Sequence, residues 1–230
     1  MRKHFALALA LVVYVLGCAT TPDDEQGFVP IFNGKDLTGW QGLDGDTSSY
    51  YVEDGQLICK ETGKVHIFTT KQYANFILRF QVKMDPGGNN GVGIRTKITK
   101  QPHIEGMEIQ VLDDPFYARG IPREGKDPKD WVPLKDYQRH GSIYGVVPAK
   151  PGHLRPTGQW NDEEIICNGR RVIVKLNGAV IVDADLDKVK PLDGKEHPGL
   201  YYQKGHISLN AHGNYGAKVY FRNLRIKELP

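Results

Sequence analysis

The sequence predicts an all-β fold, a jelly-roll sandwich of two antiparallel, curved sheets. Apolar and polar residues alternate with period two in several short segments, which is typical of strands with one buried face. Twenty-six glycines and fourteen prolines provide turn signals between these segments. No segment keeps a helical apolar stripe over three turns. Many short strands separated by turns favour a sandwich over a parallel sheet.

The N-terminal residues have the pattern of an export signal. Arg2 and Lys3 precede residues 5–16, an unbroken run of about twelve apolar or aromatic residues. A run of this length suits a signal peptide and is too short for a bilayer, which needs ~20 apolar residues. The run ends in Val15-Leu16-Gly17-Cys18, which is similar to the lipobox of bacterial lipoproteins.

We therefore expect a lipoprotein. Residues 1–17 are predicted to be the signal peptide, Cys18 the lipidated residue and residues 18–27 a polar tether. Ordinary cleavage near Ala19 is the alternative. A lipid anchor would attach the protein to a membrane of the cell envelope, with the domain facing the periplasm or the cell exterior.

The rest of the chain, residues 28–230, reads as one domain with almost no net charge. Arg2 and Lys3 supply two of the three net positive charges, and no basic cluster follows them. The sequence therefore predicts no nucleic-acid partner. We interpret Cys59 and Cys167 as small buried hydrophobes, with one disulfide as the alternative. No CxxC pair indicates a zinc or redox site.

Period-two alternation places the predicted strands, and the dipeptide Asn177-Gly178 predicts a type I′ hairpin between two of them. A bulge is expected around Arg222-Asn223. The predicted strands are residues 76–84, 107–111, 171–176, 179–182, 207–212 and 217–229.

One long segment, residues 113–140, lacks any periodicity. It is rich in proline, glycine and charge, yet it carries Phe116, Tyr117, Trp131 and Tyr137. A loop this long inside a compact domain is usually functional or disordered. Because of its aromatic residues, we predict a folded excursion over one face of the sandwich, with Asp113-Asp114 as a loop anchor.

Polar residues on two predicted strands indicate a binding face. Glu108 and Gln110 are two residues apart, so their side chains share a face, while Met107, Ile109 and Val111 would face the core. The residues Asn210 and His212 are spaced in the same way on another predicted strand.

Arg95 follows Gly91 and Gly93, which would leave the same face bare of side chains. Carboxylate, amide, guanidinium and imidazole groups on one sheet suit the hydroxyls of a sugar, and Trp131 or Tyr144 could stack on its ring. These residues predict a saccharide site. Each of them also has a purely structural interpretation, such as an Arg95–Glu108 pair that supports neighbouring strands.

Six collinear motifs between Phe28 and Pro230 resemble the family of 3-keto-disaccharide hydrolases. The family often has Gln and Asp before its His-Gly pair, where this chain has Asn210 and Ala211. The motifs occupy residues 31–40, 89–95, 105–113, 142–145, 158–161 and 212–226.

The resemblance implies a concanavalin A-like (laminarinase-like) sandwich and an enzyme that acts on glycosides already oxidised at C3, as a hydrolase or a hydratase. A 3-keto group acidifies the C2 proton, so the C1–O bond can break by elimination. Glu108 or His212 would transfer the proton, and Arg95 and Gln110 would hold the enolate. Asn210, Tyr144 and Trp131 would bind substrate. No cofactor is implied, and a bound metal ion stays open.

Two other functions stay open at this point, a non-catalytic carbohydrate-binding protein and a structural lipoprotein of the envelope. An ordinary retaining glycosidase is disfavoured. Its two carboxylates would stand ~5.5 Å apart on one strand as E-x-D-x-x-E. Here Gln110 follows Glu108, and Asp113 lies at odd spacing, so it would face away from Glu108 in a regular strand.

The expected lipid anchor can be checked by mass spectrometry of the mature protein purified from membranes. The N-terminal peptide should begin at Cys18 and carry a diacylglyceryl group, and Cys18→Ala should abolish both cleavage there and membrane attachment. A soluble mature chain that begins after Cys18 would contradict the expectation.

Overall fold

A computed structural model describes residues 25–123, 125, 127–213 and 217–230. The predicted signal peptide, Cys18 and most of the tether lie outside the described residues. Among those described, no helix is long and apolar enough to cross a membrane.

The described residues form thirteen strands and one short α-helix, α1 (Asp114–Tyr117), joined by turns and short 3-10 helices. The strands are β1 (Val29–Pro30), β2 (Trp40–Gly42), β3 (Tyr50–Glu53), β4 (Gln56–Cys59), β5 (Ile67–Tyr73), β6 (Phe76–Met84), β7 (Asn89–Thr96), β8 (Met107–Leu112), β9 (Asn161–Asn168), β10 (Arg171–Leu176), β11 (Ala179–Asp185), β12 (Gly205–Leu209) and β13 (Val219–Glu228).

These strands build two antiparallel sheets. The eight-stranded sheet has the order β11-β10-β9-β6-β13-β4-β3, with β1 added beside β13, and the five-stranded sheet has the order β2-β5-β12-β7-β8. Seven of the eleven strand pairs in the described residues join strands that are not consecutive in sequence, as in a jelly roll. The predicted all-β sandwich is therefore confirmed.

The core fills the space between the two inner faces. Along β6, Phe76, Leu78, Phe80, Val82 and Met84 are buried while the residues between them are half-exposed. On the other sheet, Met107, Ile109 and Val111 join the same core, as predicted. Period-two alternation thus assigned the inner face correctly on both sheets.

All six predicted segments are strands in the structure, two of them with the predicted bounds and four with shifted ends. Strands β6 and β10 coincide with the predicted segments, and β13 has its bulge between Arg222 and Arg225. In the predicted hairpin, Asn177 and Gly178 both have positive φ, as a type I′ turn requires. Strand β12 ends at Leu209, however, so His212 lies in the loop that follows.

The two cysteines are confirmed as buried hydrophobes. Cys59 and Cys167 are free thiols with almost no exposure. Burial raises the pKa of Cys59 to about 12 and that of Cys167 to about 11. Neither forms the reactive thiolate at neutral pH.

The predicted place of Arg95 in the binding face is wrong, because β7 contains a bulge there. Between the pairs Gly93–Ser208 and Thr96–His206, β7 has one residue more than β12. Arg95 is that bulged residue, with φ +52°. The bulge reverses the alternation, so Thr96 lies beside Gly93 on the outer face.

The Arg95 side chain, only 1% exposed, instead joins three loops at one end of the sandwich. Its guanidinium donates to the carbonyl oxygens of Ala74 (2.9 Å), Gly169 (2.8 Å) and Tyr202 (3.4 Å) and to Asn75 Oδ1 (3.1 Å). Arg95 is a structural residue.

Replacing Arg95 should therefore weaken the fold. Arg95→Met leaves buried carbonyl oxygens without their donor, and we expect a loss of at least about 3 kcal/mol in the free energy of unfolding, measured in urea. The control Arg171→Met removes a surface pair with Asp183 and should cost less than about 1 kcal/mol. An Arg95→Met variant of normal stability would contradict the structural role.

Candidate active site

A cavity of about 300 Å³ opens on the outer face of the five-stranded sheet. Glu108 and Gln110 of β8 project into it, as the alternation predicts. Polar side chains from other elements surround them, and Leu112, Ile121 and Leu134 add apolar surface. A small cavity with a few convergent polar groups is the usual form of a small-molecule site.

The centre of the cavity is a pair formed by Glu108 and His212. His212 Nε2 lies 3.1 Å from Glu108 Oε1. The Glu108 side chain is 2% exposed and that of His212 is 32% exposed, so the imidazole is the more accessible member. With Glu108 ionised, His212 Nε2 carries the shared proton, and the ring's lone pair is then on Nδ1.

The surroundings of Glu108 keep it ionised. Burial is the largest single influence and would raise the pKa of Glu108, but the interactions with His212, Asn210 and His103 together outweigh it. The net effect is a lowered pKa. Asn210 is fully buried beside the pair, although its Nδ2 lacks a partner with full hydrogen-bonding geometry among the described residues.

Gly91 provides the space that the Glu108 carboxylate occupies. A methyl group at Gly91 would lie 1.9 Å from Glu108 Oε1, far inside van der Waals contact. A methyl group at Gly93 would likewise lie 2.1 Å from Ser208 Oγ. The glycine-rich strand thus clears the outer face for side chains of its neighbours, as the sequence suggested.

Gln110 offers an acceptor without a partner. Its Nε2 donates to Asn89 Oδ1 at 3.4 Å, while its buried Oε1 has no hydrogen-bond partner among the described residues. Leaving such an oxygen unpaired costs about 1–3 kcal/mol. A ligand hydroxyl donated to Gln110 Oε1 would remove that cost, so Gln110 suits a sugar hydroxyl.

Tyr144 and His103 form the opposite wall. Gln138 Nε2 donates to the Tyr144 hydroxyl at 3.1 Å, and the His103 ring meets the Tyr144 ring edge-on with centroids 6.0 Å apart. Burial raises the pKa of Tyr144 and lowers that of His103. At neutral pH both are therefore uncharged, and the Tyr144 hydroxyl is a proton donor.

The segment before Tyr144 is held against β8 by backbone hydrogen bonds. Tyr144 N–H donates to the Glu108 carbonyl (2.8 Å), Gln110 N–H to that of Ser142 (3.0 Å) and Gly141 N–H to that of Gln110 (2.7 Å). The long segment after β8 therefore returns to its parent strand. This pairing brings Tyr144 beside Glu108.

A buried histidine fixes the start of that returning segment. His140 Nδ1 accepts the backbone N–H of Leu112 at 3.2 Å, and its Nε2 faces Glu163 Oε2 at 3.3 Å, an ion-pair distance without full hydrogen-bonding geometry. Burial alone would lower the pKa of His140, but Glu163 and Asp114 outweigh it and raise the pKa. His140 thus links both sheets beneath the cavity.

The segment 113–140 is the folded excursion that the sequence predicts. Asp113 anchors it by accepting from Gly87 N–H (2.9 Å) and from the Thr157 hydroxyl (2.6 Å). Tyr117 lines the cavity and donates to the Gly87 carbonyl at 3.0 Å.

Trp131 does not line the cavity, contrary to the predicted stacking role. Within this segment, Ile121 and Val132 form an isolated antiparallel β-bridge, and Ile121 and Leu134 reach the cavity. Trp131 packs instead against Gly120, where an added methyl group would lie 3.0 Å from its Cβ. The stacking prediction failed because Trp131 lies in an aperiodic loop, where the sequence does not indicate which way a side chain points.

Sequence reasoning missed three polar residues of the cavity, Asn89, His103 and Gln138. His103 and Gln138 lie in aperiodic loops, which carry no signal for the face they reach. Asn89 begins the glycine-rich strand two residues before Gly91, so period-two alternation could have placed it on the same face as Gly91 and Gly93. The described residues include no group of three or more His, Cys, Asp or Glu side chains that could hold a metal ion.

The sandwich and its cavity define the class, a β-sandwich protein with a sugar-sized polar site. Residues 27–227 match the family described as the 3-keto-alpha-glucoside-1,2-lyase-like domain. The chain belongs to this family, which confirms the resemblance and, at the level of the family, the expectation of an enzyme.

Individual relatives agree with this assignment. A 3-keto-disaccharide hydrolase of Bacteroides thetaiotaomicron is 26% identical, over 90% of this chain and 80% of that protein. A crystal structure from Parabacteroides distasonis, described as a candidate glycosyl hydrolase, has a TM-score of 0.72 at 25% identity and covers 92% of this chain and 99% of that one. A second from the same organism has a TM-score of 0.68 at 27% identity, covering 88% and 99%.

The lowered pKa of Glu108 predicts a pH-dependent contribution to stability. The folded pKa lies below the unfolded value of 4.5, so the stabilisation is complete above pH 4.5 and is lost as the pH falls through the folded value. In urea unfolding, the advantage of the wild type over Glu108→Gln should shrink on acidification from pH 7 to pH 3. If the difference in unfolding free energy between the two proteins does not change with pH, the lowered pKa of Glu108 is contradicted.

Proposed function

We propose that this protein cleaves glycosides that carry a ketone at C3, with Glu108 and His212 as the proton-transfer pair. The observation that carries the proposal is their direct contact at the floor of a sugar-sized cavity. The family membership supports the 3-keto substrate class. The relative named a 3-keto-disaccharide hydrolase supports hydrolysis as the net reaction.

In the first step, His212 Nδ1 takes the C2 proton. The electron pair of the C2–H bond forms the enolate of the C3 ketone. Glu108, hydrogen-bonded to Nε2, stabilises the imidazolium and orients the ring, as carboxylates do for other histidine bases. Tyr144 and neutral His103 are the donors that can face the enolate oxygen or the leaving oxygen.

In the second step the enolate expels the C1 substituent. The C1–O bond breaks, its electron pair goes to the leaving oxygen, and that oxygen takes the proton of the Tyr144 hydroxyl. Water then adds across C1=C2 of the unsaturated ketone: its oxygen bonds to C1, its released proton returns to Tyr144, and the His212 imidazolium gives a proton to C2. The product is the free 3-keto sugar, and both residues are restored. Gln110 Oε1, buried and unpaired, holds a ring hydroxyl during both steps.

Paired substrates test the reaction. A 3-keto-glucoside and its unoxidised parent are incubated with the enzyme in D₂O, with release of aglycone and mass of the sugar as readouts. We expect release from the ketone only, with one deuterium at C2 of the sugar product. Release without C2 deuterium would indicate direct displacement at C1, and equal cleavage of both substrates would contradict the proposal.

Glu108→Gln should lower turnover of the 3-keto substrate by roughly 10²–10⁴-fold, because glutamine keeps the shape but cannot stabilise the imidazolium. The melting temperature at neutral pH should change by a few degrees at most. His212→Ala should lose activity to a similar extent, since the base itself is removed.

The matched control is Glu105→Gln, three residues earlier. Glu105 pairs with Lys97 and Tyr202 and does not line the cavity, so this variant should keep wild-type turnover. Full activity in either Glu108→Gln or His212→Ala would remove the pair from the mechanism.

A further inference from the structure

The outer face of the eight-stranded sheet carries cations packed on aromatic rings. We call Tyr51, Lys83, Trp160, Lys218, Tyr220 and Arg222 the basic-aromatic patch; all six side chains are half-buried. Lys83 Nζ lies 4.2 Å from the ring centroid of Tyr220 and 5.1 Å from that of Trp160. Arg222 Cζ lies 4.0 Å from the ring centroid of Trp160, and Lys218 Nζ lies 5.9 Å from that of Tyr51.

The cations of the patch have no carboxylate partner in the described part of the chain. Two carboxylates on this face have other partners. Asp85 accepts the Tyr220 hydroxyl at 3.1 Å, and Asp162 pairs with Arg155. Lys83, Lys218 and Arg222 form no ion pair among the described residues. Their charge is therefore available to an anionic partner.

Glu25, which lies in the predicted tether, contacts this same face. Glu25 accepts hydrogen bonds from Arg225 (2.6 and 2.7 Å) and Arg79 (3.2 Å). Arg79 and Lys83 are four residues apart on β6, or ~13 Å along a strand. In the register of β13 with β6, Arg225 lies opposite Arg79 and Tyr220 lies opposite Lys83. The residues that bind Glu25 and the basic-aromatic patch are therefore contiguous on this face.

The sequence sets how far this face can stand from a lipid on Cys18. Six residues separate Cys18 from Glu25, so the two are at most ~25 Å apart. A domain of this size is about 40 Å across. A lipid anchor would thus keep the Glu25 face, and with it the patch, close to the membrane surface.

We propose that the basic-aromatic patch docks on the anionic headgroup surface of the membrane to which the chain is tethered. Tryptophan and tyrosine rings favour the membrane interface, and lysine and arginine bind its anionic lipids. The cavity lies on the other sheet, so docking turns it away from the membrane. The proposal goes beyond the proposed reaction and takes lipidation of Cys18 as its premise.

Vesicle co-sedimentation of residues 25–230, which contain both sheets and the whole core, tests the surface without the lipid. The domain should bind vesicles rich in phosphatidylglycerol and not vesicles of phosphatidylcholine alone. One basic residue at such a surface is worth ~5-fold in affinity, so Lys83→Gln with Arg222→Gln should weaken binding ~30-fold.

The matched control is Lys97→Gln with Lys188→Gln, which changes the net charge equally. Lys97 packs on the Tyr202 ring and pairs with Glu105, and Lys188 pairs with Asp185. This control should bind as the wild type does. Equal loss in both double variants, equal binding to neutral vesicles, or binding to soluble acidic polysaccharide in place of vesicles would overturn the proposal.

A second readout uses the lipidated protein in liposomes. A quencher attached to lipid headgroups should quench part of the tryptophan fluorescence, and Trp160→Phe should remove that part. If Trp160→Phe leaves the quenched fraction unchanged, the patch does not face the membrane. Because neither assay measures catalysis, failure here is distinct from failure of the proposed reaction.

Discussion

The site depends on one constraint, the burial of β8 on both faces. Every residue of Met107–Leu112 is buried, the inner ones by the core and the outer ones by the segment that returns through Tyr144. A carboxylate in such a strand is costly unless it is paired. His212 supplies the partner and Gly91 supplies the space, so the Glu108–His212 hydrogen bond and the bare glycine are two consequences of the same burial.

In the neighbouring strand β7, one extra residue separates a part that lines the site from a part that stabilises the fold. Up to Gly93 its outer face makes room for polar side chains of other strands. The bulge at Arg95 then reverses the alternation and sends the guanidinium to three loop carbonyls at the end of the sandwich. A cation that would have stood beside Glu108 is thereby removed from the site. Among the described residues, the side chain that pairs with Glu108 is the imidazole of His212, which can both accept and donate a proton.

The sandwich separates its two outer faces by the full thickness of the core. One face carries a small polar cavity, covered in part by the segment 113–140. The other carries cations on aromatic rings that have no ion-pair partner in the described part of the chain, and it also binds Glu25. If Cys18 is lipidated as we expect, this separation would leave the entrance of the cavity facing away from the membrane.

The sequence by itself determined whatever obeys a local period or a fixed dipeptide. The alternation along Phe76–Met84 and Met107–Leu112 assigned core and outer face, Asn177-Gly178 located a hairpin, and collinear motifs gave the family. The alternation and the dipeptide depend only on local backbone geometry, so they can be predicted from the sequence. Only the tertiary structure decided what depends on register or loop path. It placed Arg95 in a bulge, left Trp131 outside the cavity lining and brought His103, Gln138 and Tyr144 together from separate loops. Side-chain direction in an aperiodic segment is set by contacts distant in sequence, and no local pattern records them.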